Sequence, residues 1–85
     1  MDVCAGGTIS TTTNSITFEN HHPQPCNLGS CTIPGWPTPN PVVPAKANGV
    51  AGTWILQLSP PIPKNDYTYH PNCCDKQTDP AIKVQ

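Results

Sequence analysis

The fold class of this chain is decided by residues 8–19, which read TISTTTNSITFE. The stretch is rich in β-branched residues, which favour strands over helices. Within it, Ile16 and Phe18 alternate with polar neighbours, and this is the period of a strand that buries one face. We therefore predict strands over Thr8–Thr13 and Ser15–Glu19, with Ile16 and Phe18 pointing inward.

Further strand signals follow along the chain. The Asn48-Gly49 pair is typical of a tight hairpin turn and precedes a predicted strand over Thr53–Leu58. Shorter strands are predicted at Val42–Val43, at Tyr67–Tyr69 and in the closing segment DPAIKVQ. The apolar side chains predicted to face inward are Ile16, Phe18, Trp54, Leu56, Leu58, Ile82 and Val84. About six to eight short strands at this spacing are typical of a β-sandwich.

The predicted fold is therefore all-β, a small Greek-key β-sandwich in which residues 1–85 form a single domain. A long proline-rich loop, His21–Pro41, interrupts the strands. Pairs such as Pro34-Gly35 and Thr38-Pro39 exclude a helix or a central strand there. Trp36 lies within this loop, where it either covers the core or forms an exposed contact.

The composition indicates a marginal core that needs a further stabiliser. Of the 85 residues, 35% are hydrophobic and 6% are aromatic, whereas ordering a chain costs about 1.5 kcal/mol per residue. Twelve prolines restrict the unfolded chain, and five cysteines offer cross-links. Small domains with many cysteines are usually exported, so we expect an exported or extracellular protein slightly more than an intracellular one. The start, MDVCAGGTIS, lacks the pattern of a signal peptide.

Charge and hydropathy exclude two classes of partner. The net charge is −1, and the four basic residues are dispersed lysines without any arginine. Nucleic-acid binding usually needs a basic stripe with arginine contacts, so no nucleic-acid partner is expected. No stretch approaches the run of about 18 apolar residues that a membrane span requires, so no membrane span is expected.

Several short segments together resemble a known group of proteins. The segments that carry the resemblance are ITFENHHP, PGWPTPNPVVPA, GTWILQLS, DYTYH and DPAIKV. Through them the chain resembles the small bacterial cupredoxin-like proteins of the DP-EP kind over roughly residues 8–85. The resemblance implies an immunoglobulin-like or cupredoxin-like sandwich, and it implies no shared activity. Cupredoxins also place an F-x-N strand end before a histidine-bearing loop and a Y-x-[YF] strand before a ligand loop. Residues 18–21 and Tyr67–Tyr69 fit these two places.

One departure from the cupredoxin pattern bears on copper. The position that follows the Y-x-[YF]-x strand carries the cysteine ligand in blue-copper proteins, and here it is Pro71, which cannot bind a metal. Met1 is the single methionine, so no axial methionine ligand is expected. We therefore do not expect a blue-copper electron carrier.

Seven of the eight cysteine and histidine residues lie in two segments, which we call the first Cys/His loop, His21–Cys31, and the second Cys/His loop, His70–Cys74. In a cupredoxin-like topology the two loops would lie at the same end of the sandwich. The favoured interpretation is that disulfides join the loops and stabilise the fold by about 2–4 kcal/mol each. The candidates are Cys26, Cys31, Cys73 and Cys74. Cys4 is expected to be the odd thiol, either buried or paired outside the chain.

The alternative interpretation of the same two loops is a copper or zinc site. Imidazole and thiolate suit either metal, and the candidate ligands are His21, His22, His70, Cys73 and Cys74. In the favoured interpretation no cofactor is bound.

A catalyst is not expected. The five acidic residues are scattered along the chain without a paired arrangement, and Ser30 in LGSCT does not lie in a nucleophile elbow. We expect a non-enzymatic binding module or a self-assembling structural module. An edge strand in so small a sandwich can pair with a protein partner or with another copy of the chain by β-augmentation.

Overall fold

The computed structural model describes residues 1–75 and 78–85, which contain seven strands and no helix. The strands are β1 Gly7–Ile9, β2 Ser15–Asn20, β3 Cys26–Asn27, β4 Val42–Val43, β5 Gly52–Gln57, β6 Asn65–Thr68 and β7 Ala81–Val84. The prediction of an all-β chain with six to eight short strands is confirmed. None of the described residues belongs to a helix that could span a membrane.

The strands pair into three small sheets. β2 and β5 form an antiparallel ladder in which Phe18 lies opposite Trp54. β7 is the central strand of the second sheet, antiparallel to β6 and parallel to β1. β3 and β4 form a third, two-residue ladder. These pairings connect seven strands without establishing a Greek-key order, which stays a prediction.

One hydrophobic core joins the two larger sheets. Six of the seven side chains predicted to face inward are buried, and these are Ile16, Phe18, Leu56, Leu58, Ile82 and Val84; the seventh, Trp54, is half-buried against the same core. The Phe18 ring stacks on Trp54 with a centroid distance of 5.8 Å and meets the edge of Tyr69 at 5.7 Å. Because Tyr69 follows β6 directly, this aromatic group connects one sheet to the other.

Trp36 covers this aromatic group from the proline-rich loop. Its ring lies 6.2 Å from Phe18 and 6.1 Å from Trp54, and its indole N–H donates to the carbonyl of Gly29 at 3.0 Å. Of the two roles considered for Trp36, the structure therefore shows packing against the core. The loop also contains β3, a short ladder strand that its prolines did not lead us to expect.

The predicted strand over Thr8–Thr13 is wrong beyond Ile9. The hydroxyl of Thr13 accepts a hydrogen bond from the backbone N–H of Ser10. The hydroxyl of Ser10 accepts a hydrogen bond from the backbone N–H of Thr12. These local bonds replace the ladder bonds of a strand, as serine and threonine side chains often do in turns. The Asn48-Gly49 turn is confirmed, since both residues have positive φ and the flanking residues form a bridge.

The first residues of the chain extend the β2 sheet on the side away from β5. Glu19 donates its backbone N–H to the carbonyl of Met1 at 2.9 Å and accepts from the N–H of Val3 at 3.1 Å. The buried Tyr69 hydroxyl donates to the Val3 carbonyl at 2.9 Å. No role was predicted for this segment, yet it closes one edge of β2 and brings Cys4 to the same end of the molecule as the two Cys/His loops.

The buried Tyr69 hydroxyl generates a first prediction. We expect Tyr69→Phe to lower the free energy of unfolding by about 1–3 kcal/mol at neutral pH, since it leaves the buried Val3 carbonyl without its donor. Burial also raises the pKa of Tyr69 well above its usual range. The unfolded chain therefore ionises Tyr69 first, and this contribution to stability is lost as pH rises above about 10.

Urea unfolding of Tyr69→Phe and wild type at neutral and alkaline pH measures both effects. Tyr67→Phe is the matched control, since the Tyr67 hydroxyl donates to the Pro63 carbonyl in a less buried setting. The Tyr69→Phe protein should lose less stability on going to alkaline pH than the wild type does. Equal alkaline losses in wild type and Tyr69→Phe would contradict the prediction.

Candidate functional site

The two Cys/His loops lie side by side. The N–H of His70 donates to the carbonyl of Leu28 at 2.9 Å, and the N–H of Asn72 donates to the carbonyl of Asn27 at 3.0 Å. The Asn72 side chain also accepts from the N–H of Asn27 at 3.0 Å. Because these bonds align the two segments residue by residue, Cys26 comes to lie opposite Cys73.

Two disulfides form at this end of the molecule. Cys26 is bonded to Cys73 with a Cα–Cα distance of 5.1 Å, and Cys4 is bonded to Cys74 with a Cα–Cα distance of 5.6 Å. The prediction that a disulfide joins the two Cys/His loops is confirmed by the first of these bonds. As expected, the adjacent Cys73 and Cys74 point to different partners, and their sulfur atoms are 3.9 Å apart.

Two of the cysteine assignments were wrong. Cys4, expected to be the odd thiol, is bonded to Cys74, because the N-terminal segment along β2 brings it there. Cys31, a disulfide candidate, is a free thiol that is half-buried against the core. It follows a reversal at Gly29, where φ is +71° and an added Cβ would meet the backbone of His70 at 2.7 Å. The chain therefore leaves the second Cys/His loop before it reaches Cys31.

The three histidines have three different neighbours. The Nε2 atom of His22 lies 3.4 Å from the sulfur of Cys4. His21 Nε2 lies 3.4 Å from a Glu19 carboxylate oxygen, and His70 Nδ1 lies 2.7 Å from a carboxylate oxygen of Asp79. Both of these pairs are largely exposed. The histidines proposed as metal ligands are thus distributed over separate contacts.

Within residues 1–75 and 78–85, the group of potential metal ligands that the structure brings together is Cys4, Cys73 and Cys74. Their three sulfur atoms lie within 4.8 Å of one another, and we call them the three-sulfur group. Two of its members were among the predicted candidates, and Cys4 was missed. No local sequence signal marks Cys4 as a member, because its position depends on backbone pairing with β2.

Asn20 positions His22 beside this group. Asn20 is fully buried, and its amide nitrogen donates to the carbonyls of Gln24 at 2.8 Å and Pro44 at 3.1 Å. Its side-chain oxygen accepts from the backbone N–H of His22 at 2.9 Å. The role of Asn20 was missed, although a signal was present, since the alternation of Ile16 and Phe18 continues to position 20 on the inward face.

An open cleft gives solvent access to two members of the three-sulfur group, Cys4 and Cys74. Its volume is about 400 Å³, and its walls include Asp2, Cys4, His21, His22, Cys74 and Asp75. The Cys4–Cys74 disulfide is therefore reachable from outside, whereas Cys26 is fully buried beneath it. Imidazole, carboxylate and sulfur groups meet at this one place on the surface.

Comparison with protein-family models, with curated proteins and with solved structures finds no match for this chain. The likeness to cupredoxin-like proteins of the DP-EP kind therefore stays a resemblance between short sequence segments. What the site does has to be inferred from its own contacts, burial and chemistry.

The disulfide pairing generates a second prediction. The double variant Cys4→Ala/Cys74→Ala should lower the free energy of unfolding by about 2–5 kcal/mol, since the bond closes a long loop and restricts the unfolded chain. Cys31→Ser is the control and should change stability by much less, because Cys31 forms no disulfide. Urea unfolding under non-reducing conditions measures both. A Cys31→Ser variant as unstable as the double variant would show that the pairing is different.

Cys31 generates a third prediction. Burial raises the pKa of its thiol and outweighs the backbone hydrogen bonds from Ile33 and Thr32, which lower it. Less of the reactive thiolate is then present at a given pH. At about pH 8, iodoacetamide should modify Cys31 more slowly in the folded protein than in the guanidinium-unfolded protein with its disulfides intact. The folded-state rate should still be rising above pH 9, and a plateau below that pH would contradict the expected shift.

Proposed function

We propose that this chain is a non-catalytic assembly module that works outside the cell and pairs its strand β5 with β5 of a second copy. The observation that carries the proposal is the open edge of β5. An unpaired strand edge is a row of hydrogen-bond donors and acceptors, and it accepts another strand when nothing guards it.

The hydrogen-bond pattern identifies which backbone groups of β5 are open. Both backbone groups of Glu19 are bonded to the N-terminal segment, so they point away from β5. Glu19 lies opposite Thr53 in the ladder, so the backbone groups of Thr53 point away from β2. The same holds at every second residue, Ile55 and Gln57. None of these three residues has a backbone hydrogen-bond partner on that side within the described residues.

The chemistry of this edge favours association. The strand GTWILQ contains no charged residue and no proline, whereas lysine and proline are the usual means of protecting an edge. Ile55 is 52% exposed, and Val50, in the adjacent hairpin, is 68% exposed. The outer edge of β6 differs, since it carries Asp66 and follows Lys64. β5 is thus the better template for a new strand.

A second copy of the chain fits this edge by symmetry. In an antiparallel β5–β5 pair centred on Ile55, each Ile55 would lie opposite its counterpart, and Thr53 would lie opposite Gln57. The open backbone groups of Thr53 and Ile55 would then be satisfied by the other strand, and the Gln57 carbonyl would join them once Gly35, which lies against it, moves aside. No like charges would meet. Apolar and uncharged polar cross-strand pairs of this kind are favourable. The product would be a continuous β2–β5–β5–β2 sheet.

Two further observations support an extracellular and non-catalytic role. Disulfides persist mainly in oxidising environments, and this chain has two. His70 and Asp79 form the shortest histidine–carboxylate pair, and both side chains are largely exposed to water. A dyad in such a setting lacks the buried, preorganised surroundings that acid–base catalysis uses.

The open edge generates a fourth prediction. The wild-type protein should change from monomer to dimer as its concentration rises, and Ile55→Lys should remain monomeric because two lysines would face each other across the pair. The matched control is Thr17→Lys. Thr17 lies directly opposite Ile55 in the ladder and is exposed, but the edge of β2 beyond it is already covered by residues 1–3.

Sedimentation equilibrium over a concentration series measures the association, with circular dichroism to verify that each variant is folded. Because the paired edge is short, we expect weak dimers with dissociation constants of about 1 µM to 1 mM. A wild-type protein that stays monomeric up to about 1 mM would overturn the proposal. Equal loss of the dimer in Thr17→Lys and Ile55→Lys would show that the outer face of the sheet, and not its edge, is the contact surface.

A further inference from the structure

We infer that the three-sulfur group, together with His22, binds one zinc ion when its disulfides are reduced. The inference concerns the end of the molecule that carries the Cys/His loops and does not depend on the pairing of β5. It assigns a ligand set that differs from the one expected from the sequence, because Cys4 enters the set and both His21 and His70 leave it.

Two of the distances between the ligand atoms already approach those of a tetrahedral zinc site. Zinc–sulfur bonds of about 2.3 Å and zinc–nitrogen bonds of about 2.0–2.1 Å place neighbouring ligand atoms about 3.6–3.8 Å apart. The sulfur atoms of Cys73 and Cys74 are 3.9 Å apart, and Cys4 sulfur lies 3.4 Å from His22 Nε2. Zinc also requires that both disulfides be broken, so that Cys4 sulfur separates from Cys74 sulfur and Cys73 sulfur is released from Cys26. The imidazole of His22 then has to turn toward Cys73 and Cys74, because the ligand atoms within 4.8 Å of one another are the three sulfur atoms alone.

The backbone holds these ligands in place independently of the disulfides. His22 is fixed on both sides, since its N–H donates to Asn20 and its carbonyl accepts from the N–H of Lys46 at 2.8 Å. The N–H of Cys4 donates to the Asp2 carboxylate at 2.8 Å. The second Cys/His loop is tied to the first by the bonds from His70 and Asn72. A site whose ligands are held by other contacts loses less entropy when it binds a metal.

The chemistry balances with a dithiol as reductant. Each disulfide takes up two electrons and two protons from one dithiol, which becomes a disulfide itself. Four thiols result, on Cys4, Cys26, Cys73 and Cys74. Zinc then displaces the protons of three of them and binds the thiolates, with the neutral imidazole of His22 as the fourth ligand. Three thiolates with one imidazole are a soft donor set that favours zinc over calcium or magnesium.

Burial distinguishes the ligands from the other two cysteines. Cys26 is fully buried in the core, and it is not a member of the three-sulfur group. Cys31 packs against the core beyond the turn at Gly29. The Cys4–Cys74 bond, in contrast, lines the open cleft through which both the reductant and the ion can arrive. The same end of the fold would thus be fastened by disulfides when oxidised and by zinc when reduced.

The test measures zinc binding to the full chain, reduced with a phosphine and kept free of oxygen. The reduced wild type should retain one zinc per chain in native mass spectrometry, and cobalt should give the absorption of a tetrahedral thiolate site. The oxidised protein should bind at least about 100-fold more weakly, because its sulfur atoms are not thiolates. Cys74→Ser and Cys4→Ser should each weaken binding by at least about 100-fold, and His22→Gln by about 10–100-fold.

The controls are Cys31→Ser, which removes a thiol outside the group, and His70→Gln, which removes the histidine paired with Asp79. Both should bind zinc as the wild type does. Zinc should also raise the urea midpoint of the reduced wild type but not that of reduced Cys74→Ser, which separates binding by the fold from binding by an unfolded chain. No zinc retention, equal retention by Cys74→Ser, or loss with His70→Gln would each overturn the inference.

Discussion

Two neighbouring residues, Cys73 and Cys74, hold three distant parts of this chain together. Their side chains leave the backbone toward different partners, so one bond reaches Cys26 in the first Cys/His loop and the other reaches Cys4 beside β2. The hydrophobic core is small, and several of its strands are two to four residues long. Strands so short contribute little on their own. This junction reinforces the backbone hydrogen bonds that place the N-terminal segment along β2 and align the two Cys/His loops.

The parts of the fold that could be predicted are those that local chemistry decides. The alternation around Ile16 and Phe18 identified β2 and its buried face, and Asn48-Gly49 identified a tight turn because few other residues adopt positive φ. The strand predicted over Thr53–Leu58 begins and ends one residue later than the observed β5, Gly52–Gln57. In each case the signal lies within a few residues of the structure that it produces.

The cysteine pairing and the parallel alignment of β1 with β7 could not be predicted, because both join residues that are far apart in sequence. Cys26 and Cys31 look equivalent in the sequence. The reversal at Gly29 and the hydrogen bonds between Leu28 and His70 make them different, since only Cys26 remains alongside Cys73. Five cysteines allow many connectivities, and backbone geometry alone selects one.

The Cys4–Cys74 bond also determines how the domain would respond to a pulling force. Six of the seven strands lie between these two cysteines, and β7 lies outside them. A load applied at Met1 and Gln85 would pass through the sulfur–sulfur bond and would extend only the short segments beyond it. The maximal extension is about 50 Å, against about 300 Å for an unbridged chain of this length. Under tension the domain would act as a nearly inextensible connector whose weakest element is the C-terminal strand.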